Sequence, residues 1–323
     1  MLLGAAGGAL PDVDVFWGFL ADPALPWEYH RHFTHALAFI PIGGAIAAAP
    51  FLLWKVFRKN AIATWAAATA GCAVHGVNDT LTSFGTFLYW PFSTERVAWD
   101  VISIIDPLLT LPLIAGLIIA AALGKSWPTR AALTLALAYI SLGVVQNQRV
   151  LAVQRELAAV RGHELQRGRA MPTFGNIIIW RSLYEDELGM LHADAVRPGL
   201  FGPTRVREGE SLKRVEIEAL RADPRITARL DRVLLGFEQF ADGYIGLVGD
   251  NPNALGDMRY SMITEGFSPM WGLKLNLLDS VDQVYWGHYR MSGGSTRGDA
   301  IRSLWQDIAQ PDEQWIALES LPR

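Results

Sequence analysis

Cysteine is almost missing from this chain: Cys72 stands alone among 323 residues. A single thiol excludes an internal disulfide framework and any zinc site built on cysteine pairs. Charge is sparse too, at 19% Asp, Glu, Lys and Arg, where about a quarter is usual. The formal net charge of -4 offers no basic surface for nucleic acid. There is no Gly-x-Ser-x-Gly turn, no glycine-rich phosphate loop, no internal repeat and no low-complexity stretch. The opening run Met1 to Leu10 has no basic residue ahead of its apolar stretch, so it does not read as a secretory leader. It is also too short to cross a bilayer.

What is present is unevenly placed. The first ~145 residues are mostly Ala, Leu, Ile, Gly and aromatics, and most of the Arg, Asp and Glu come later. Apolar runs at 36–54, 61–82, 101–123 and 130–146 approach the ~20 residues that a helix needs to span lipid. The fold expected is an α-helical membrane bundle of about four spans followed by a small soluble α+β domain. The divisions expected are 1–146 for the membrane domain, 147–171 for an amphipathic helical stem and 172–323 for the soluble domain. Val150, Val153, Leu157 and Val160 give the stem its helical period. In the tail, 177–180, 183–184, 242–248, 257–264 and 272–278 read as strands, and 210–221 and 226–240 as helices. Phe16, Trp17, Trp27 and Tyr29 suit the interface between water and lipid.

Ionisable residues cluster at the ends of the apolar runs, where they are costly and usually functional. Asp12 and Asp14 follow Pro11 in a turn. His30, His32 and His35 are three of the seven histidines within six residues. His75 and Asp79 are one helical turn apart and share a face. Asp106 opens the third apolar run. Antiparallel spans would bring Asp12, Asp14, His30, His35, His75, Asp79 and Asp106 to one membrane face. Imidazoles and carboxylates at one level suit a divalent metal ion, zinc first, with magnesium or manganese as alternatives. A cation also offsets the mutual repulsion of the acids. Lys55, Arg58, Lys59, Lys125 and Arg130 mark the opposite face, and the positive-inside rule makes that face cytoplasmic. The site and the C-terminal domain are then expected on the outer face, although Arg149, Arg155, Arg161, Arg167 and Arg169 run against that rule. His163, His192 and His288 read as isolated surface or core residues.

The motifs Pro11-Asp12-x-Asp14, His30-Arg31-x-x-Thr34-His35, His75-x-x-x-Asp79-x-x-Thr82-Ser-x-Gly85-Thr86, Trp90-Pro91-Phe92 and Ile105-Asp106-Pro107 resemble those of the YdjM-type inner-membrane, metal-dependent hydrolases. The likeness covers about residues 1–145 in order and spacing. The tail, with Pro172-Thr-x-x-Asn176, Trp180-Arg181 and Asp257-x-Arg259-Tyr260, is similar more loosely to longer members. The resemblance implies a multi-pass protein of the bacterial inner membrane. Such proteins carry an Asp-Pro-x-Thr-His motif before the Pro-Asp-x-Asp turn. This chain starts where that helix would finish, so the expectation is a truncated start or a site short of one ligand.

The leading expectation is a hydrolase that acts through metal-activated water on a small-molecule or lipid-derived ester or phosphoester, in contact with membrane lipids. Asp79 or Asp14 would act as base, and Arg31 would hold an anionic group. A metal-binding or transport membrane protein without catalysis is the alternative. A structural anchor with a partner-binding tail is the third.

Overall fold

Glycine and alanine decide how the first unit packs. The computed structural model describes residues 1–16, 26–200, 202–224, 226–249, 251–275, 284–289, 296–309 and 313–320. It divides into one unit of Met1–Trp99, Ile217–Gly243 and Leu273–Gly287, and another of Asp100–Glu216, Tyr244–Gly272 and His288–Arg323.

In the first unit, helix α1 (Leu2–Ala9) leads into a 3-10 turn, Pro11–Val13. Helices α2 (Ile40–Ala48) and α3 (Ala61–Thr80) follow. A Cβ on Gly7 would strike the backbone of Ala68, and one on Gly44 would strike Thr69. The backbones of α1 and α2 therefore lie directly on α3, the close approach that small residues allow between membrane helices. Cys72 on α3 donates its thiol to the Gly7 carbonyl at 3.0 Å. A later helix, α6 (Ala228–Phe240), is capped by Thr227, whose hydroxyl accepts from the Leu230 amide, and belongs to this unit. Its Phe237 and Phe240 rings lie 5.7 and 5.4 Å from the buried Trp27. Trp27 is thus packed inside protein, while Phe16 is exposed; Trp17 lies outside the described residues.

The second unit holds α4 (Pro107–Leu123), α5 (Trp127–Arg161) and most of the strands. Gly116 of α4 fits against Pro128 and Ala132 of α5. Strands β1 (Leu165–Pro172), β2 (Trp180–Asp186), β3 (Met190–Arg197) and β4 (Arg205–Arg207) form an antiparallel sheet in sequence order. Among the described residues Ile316–Ala317 extends it beyond β4, and β5 (Ser211–Lys213) pairs with β3. A second sheet contains the antiparallel pair β6 (Ile245–Val248) and β7 (Asn251–Asp257). Val150, Val153 and Leu157 of α5 pack with Ala170, Trp180, Val196 and Val206 of the first sheet.

Helix α5 therefore has two parts. Leu133, Leu135, Leu137, Val144 and Val145 are exposed, and from Gln146 onward one face is buried. Among the described residues Trp127–Val160 is the one helix long and apolar enough to cross a membrane. The pair Trp27–His35 and Leu37–Leu53, bent by 54°, adds a second if it counts as one span. An apolar helical N-terminal region followed by a β-rich one with two sheets is what the structure contains. Pro41 and Pro50 begin new helical segments inside 36–54. The run at 101–123 becomes helical only at Pro107 and is then 17 residues long.

Three expectations in the tail shift. The stem stops at Arg161, where Gly162 in the left-handed conformation (φ 72°) closes α5, so 165–171 belongs to strand β1. Residues 211–213 are strand, and only Ile217–Arg221 of the expected 210–221 is helical. The strand expected at 257–264 lies earlier, at Asn251–Asp257. Trp271–Leu275 covers the start of the strand expected at 272–278, and 276–278 lies outside the described residues.

Candidate metal centre

Asp14 organises the first layer of the site. It follows the Pro11–Val13 turn and is buried. Its Oδ1 lies 2.9 Å from His30 Nδ1. Its Oδ2 accepts from the Arg31 amide at 3.1 Å and from the Thr34 hydroxyl at 2.6 Å, and lies 3.2 Å from His35 Nδ1. One carboxylate thereby pins the whole His30-to-His35 segment. Arg31 turns the chain there, with φ at 61°, a left-handed conformation uncommon for a residue with a side chain.

Helix α3 supplies the second layer. His75 and Asp79 project from one face near its end. Gly76 lies between them, and a Cβ there would sit 2.5 Å from the His35 carbonyl oxygen. Glycine is what lets the His35 backbone rest on the helix, and this closeness brings the rings together. His35 Nε2 then lies 3.1 Å from His75 Nε2, 3.2 Å from Asp79 Oδ2 and 3.6 Å from Asp12 Oδ1. His75 Nε2 lies 3.4 Å from Asp12 Oδ1 and 3.7 Å from Asp79 Oδ2.

These five separations can be tested against a tetrahedron. Zinc bonds of about 2.0–2.2 Å to nitrogen and oxygen imply ligand-to-ligand edges of about 3.3–3.6 Å. The observed 3.1 to 3.7 Å brackets that range. Asp79 Oδ2 is buried and accepts no aligned hydrogen bond, although Arg31 Nε lies 3.0 Å away. This buried oxygen faces two imidazoles and a guanidinium, and it is a candidate ligand atom for a cation. The donor set therefore fits a divalent cation. Asp12, Asp14 and His30 form a further group whose ligand atoms lie within 4.8 Å of one another, and Asp12 belongs to both groups. His35 is fully buried, whereas 55% of the Asp12 side chain is exposed, so the cluster opens on the Asp12 side.

Asp12 and Asp14 are held ionised. Hydrogen bonds from His35 and then His75 keep Asp12 well below the usual carboxylate range. Burial works to raise Asp14, but hydrogen bonds from His30, His35 and Thr34 outweigh it and hold this group low as well.

Six of the seven expected ligands, Asp12, Asp14, His30, His35, His75 and Asp79, come together in this way. Asp106 has other work. Its Oδ1 caps α4 by accepting from the Leu108 and Leu109 amides at 3.1 and 3.3 Å, and its Oδ2 accepts from the Tyr139 hydroxyl at 2.9 Å. Arg31 is buried; Nη1 donates to Thr82 Oγ1 at 2.8 Å, and the guanidinium lies over the Phe84 ring. Thr34, Thr82 and Gly76 contribute in ways their positions alone do not reveal. Thr34 and Thr82 stood inside the motifs as possible hydrogen-bond donors, and Gly76 stood beside His75 as the small residue that a close approach requires.

A helical unit that closes a two-histidine, two-aspartate cluster, in a chain with a bilayer-length apolar helix, suits a membrane protein with residues that could hold a metal ion. Residues 1–150, a little under half of the chain, match the family model described as YdjM inner membrane protein. No curated protein and no solved structure matches the chain.

Proposed function

We propose that this protein is a membrane-bound, metal-dependent hydrolase centred on His35, His75, Asp79 and Asp12. The convergence of His35 Nε2, His75 Nε2 and Asp79 Oδ2 beside the exposed Asp12 supports this reading most strongly. A bound divalent ion, zinc before magnesium or manganese, would supply a Lewis acid and an acidified water. His35, His75 and Asp79 would hold it as two imidazoles and one carboxylate, a donor set found in hydrolytic zinc sites. Asp12, the exposed member, would yield its position or accept a proton. Asp14 fixes the far nitrogen of His35 and so its tautomer, and could take a proton through His30. Arg31 supports Asp79, and its charge is available to an anionic oxygen if it leaves Thr82. Its membrane location favours an ester or phosphoester of lipid origin as substrate. The positive-inside rule favours the outer face of the membrane for the site and the C-terminal domain, which cysteine labelling from either side would test.

One observation favours a rival reading. Catalytic zinc sites keep an open position, whereas four protein ligands close it. If Asp12 is a permanent fourth ligand, the protein binds metal without turnover. The Asp12→Asn variant separates the two. For a hydrolase it should keep its metal and lose most hydrolysis of a phospholipid or an aryl phosphodiester. For a closed site the metal itself should be lost. Metal-loaded wild type that hydrolyses no ester or phosphoester would end the hydrolase reading.

A further inference from the structure

The second unit contains another group of ligands, far from the first in the sequence. Gly162 ends α5, and His163 is the next residue. Asp186 closes β2 and His192 lies on β3, opposite Tyr184 in the antiparallel register. The tight turn between the strands, with Gly189 at φ 70°, draws Asp186 and His192 together. One ligand atom from each of His163, Asp186 and His192 lies within 4.8 Å of the others. Asp186 and His192 are buried, and His163 is partly exposed.

The reverse side of each residue carries the argument. His192 Nδ1 is 2.7 Å from Ser211 Oγ. His163 Nδ1 is 2.8 Å from the Tyr184 hydroxyl, which also accepts from Arg161 at 3.2 Å. Asp186 Oδ1 accepts from the Leu188 and Met190 amides at 2.9 and 2.8 Å. Each residue thus has one atom fixed by an outer partner and one left for the cluster. His192 Nε2 and Asp186 Oδ2 face each other at 2.9 Å, and His163 Nε2 has no hydrogen-bond partner among the described residues. This is the pattern of metal ligands held by outer hydrogen bonds, which fix the tautomer and aim the ring. The positive charge of Arg161 is met by Asp194, at 2.8 and 2.7 Å, and by Glu208. A cation beside it would therefore not face an uncompensated guanidinium.

We infer that His163, Asp186 and His192 form a second metal site, independent of the membrane cluster, which takes a divalent transition-metal ion of the zinc class. Two imidazoles and one carboxylate leave a coordination position for water on the His163 side. The His163 and His192 rings stack at 4.3 Å with planes 28° apart, and a pivot of the partly exposed His163 about its Tyr184 contact would let its Nε2 converge with His192 Nε2 on the ion. The bound ion would tie the end of α5 to the β2–β3 hairpin.

The test uses the full chain in detergent, stripped with chelator, with the membrane cluster disabled by His75→Ala. Zinc chloride is then titrated, and bound metal and melting temperature are read. The parent should bind zinc through this site and melt at a higher temperature with zinc than without. His163→Ala should weaken that zinc binding at least tenfold and abolish the thermal shift. His163→Cys, which restores a ligand, should recover both. Ser211→Ala, which removes only an outer partner, should weaken binding by about 10- to 100-fold. Equal zinc affinity in the parent and in His163→Ala, or a parent that binds no zinc, would overturn the assignment.

Discussion

Single side chains decide which acids join the His cluster. Asp14 and Asp106 look alike in the sequence, each within a few residues of a proline and next to an apolar run. Asp14 meets two imidazoles, a hydroxyl and an amide, whereas Asp106 meets two helix amides and a phenol. Aspartate followed by proline is an N-cap with proline at the first helical position, so the role of Asp106 was legible from its neighbour. Asp106→Ala should cost about 0.5–2 kcal/mol of stability, the usual worth of a cap, and leave the metal content of the membrane cluster unchanged. Gly76 gives the opposite result. Gly76→Ala should push His35 away from α3, costing about 1–3 kcal/mol as overpacking does, and lower the metal content together with stability. Urea melts paired with elemental analysis separate these two outcomes.

Elements show why periodicity was a partial guide. The α3 face with His75 and Asp79 four apart was legible because a continuous helix has one geometry. The run at 36–54 misled because its composition is that of a span while its prolines break it into short segments. The stem was legible from Val150, Val153 and Leu157, but its end lay in Gly162, which a count of apolar residues does not weigh. The two environments of α5 predict two different failures. Leu157 is fully packed against the sheet, and Leu157→Ala should cost about 2–5 kcal/mol without loss of membrane association. Leu135 is 62% exposed on the apolar part, and Leu135→Arg should instead impair insertion, at about 2.5–3.5 kcal/mol if the position lies at mid-membrane. Fractionation followed by thermal melts of the extracted protein distinguishes the two.

At the scale of the whole molecule, the division of labour was legible and the wiring was not. The sequence separates an apolar N-terminal region from a polar tail, and the motifs lie in the first. It does not disclose that Ile217–Gly243 joins the N-terminal unit, because the contacts of Phe237 and Phe240 with Trp27 span some two hundred residues. It does not pair His163 with His192 either, since strand register brings them together. Local spacing reveals neighbours on one helix; side chains joined by a turn, a hairpin or a close backbone approach need the fold.

The central claim is that His35, His75, Asp79 and Asp12 surround a cation. Metal analysis of the purified full-length protein, wild type beside His75→Ala, tests it most directly. The account predicts that wild type carries one more equivalent of divalent metal than the variant. A wild type without metal, or a variant with the same content, would contradict it.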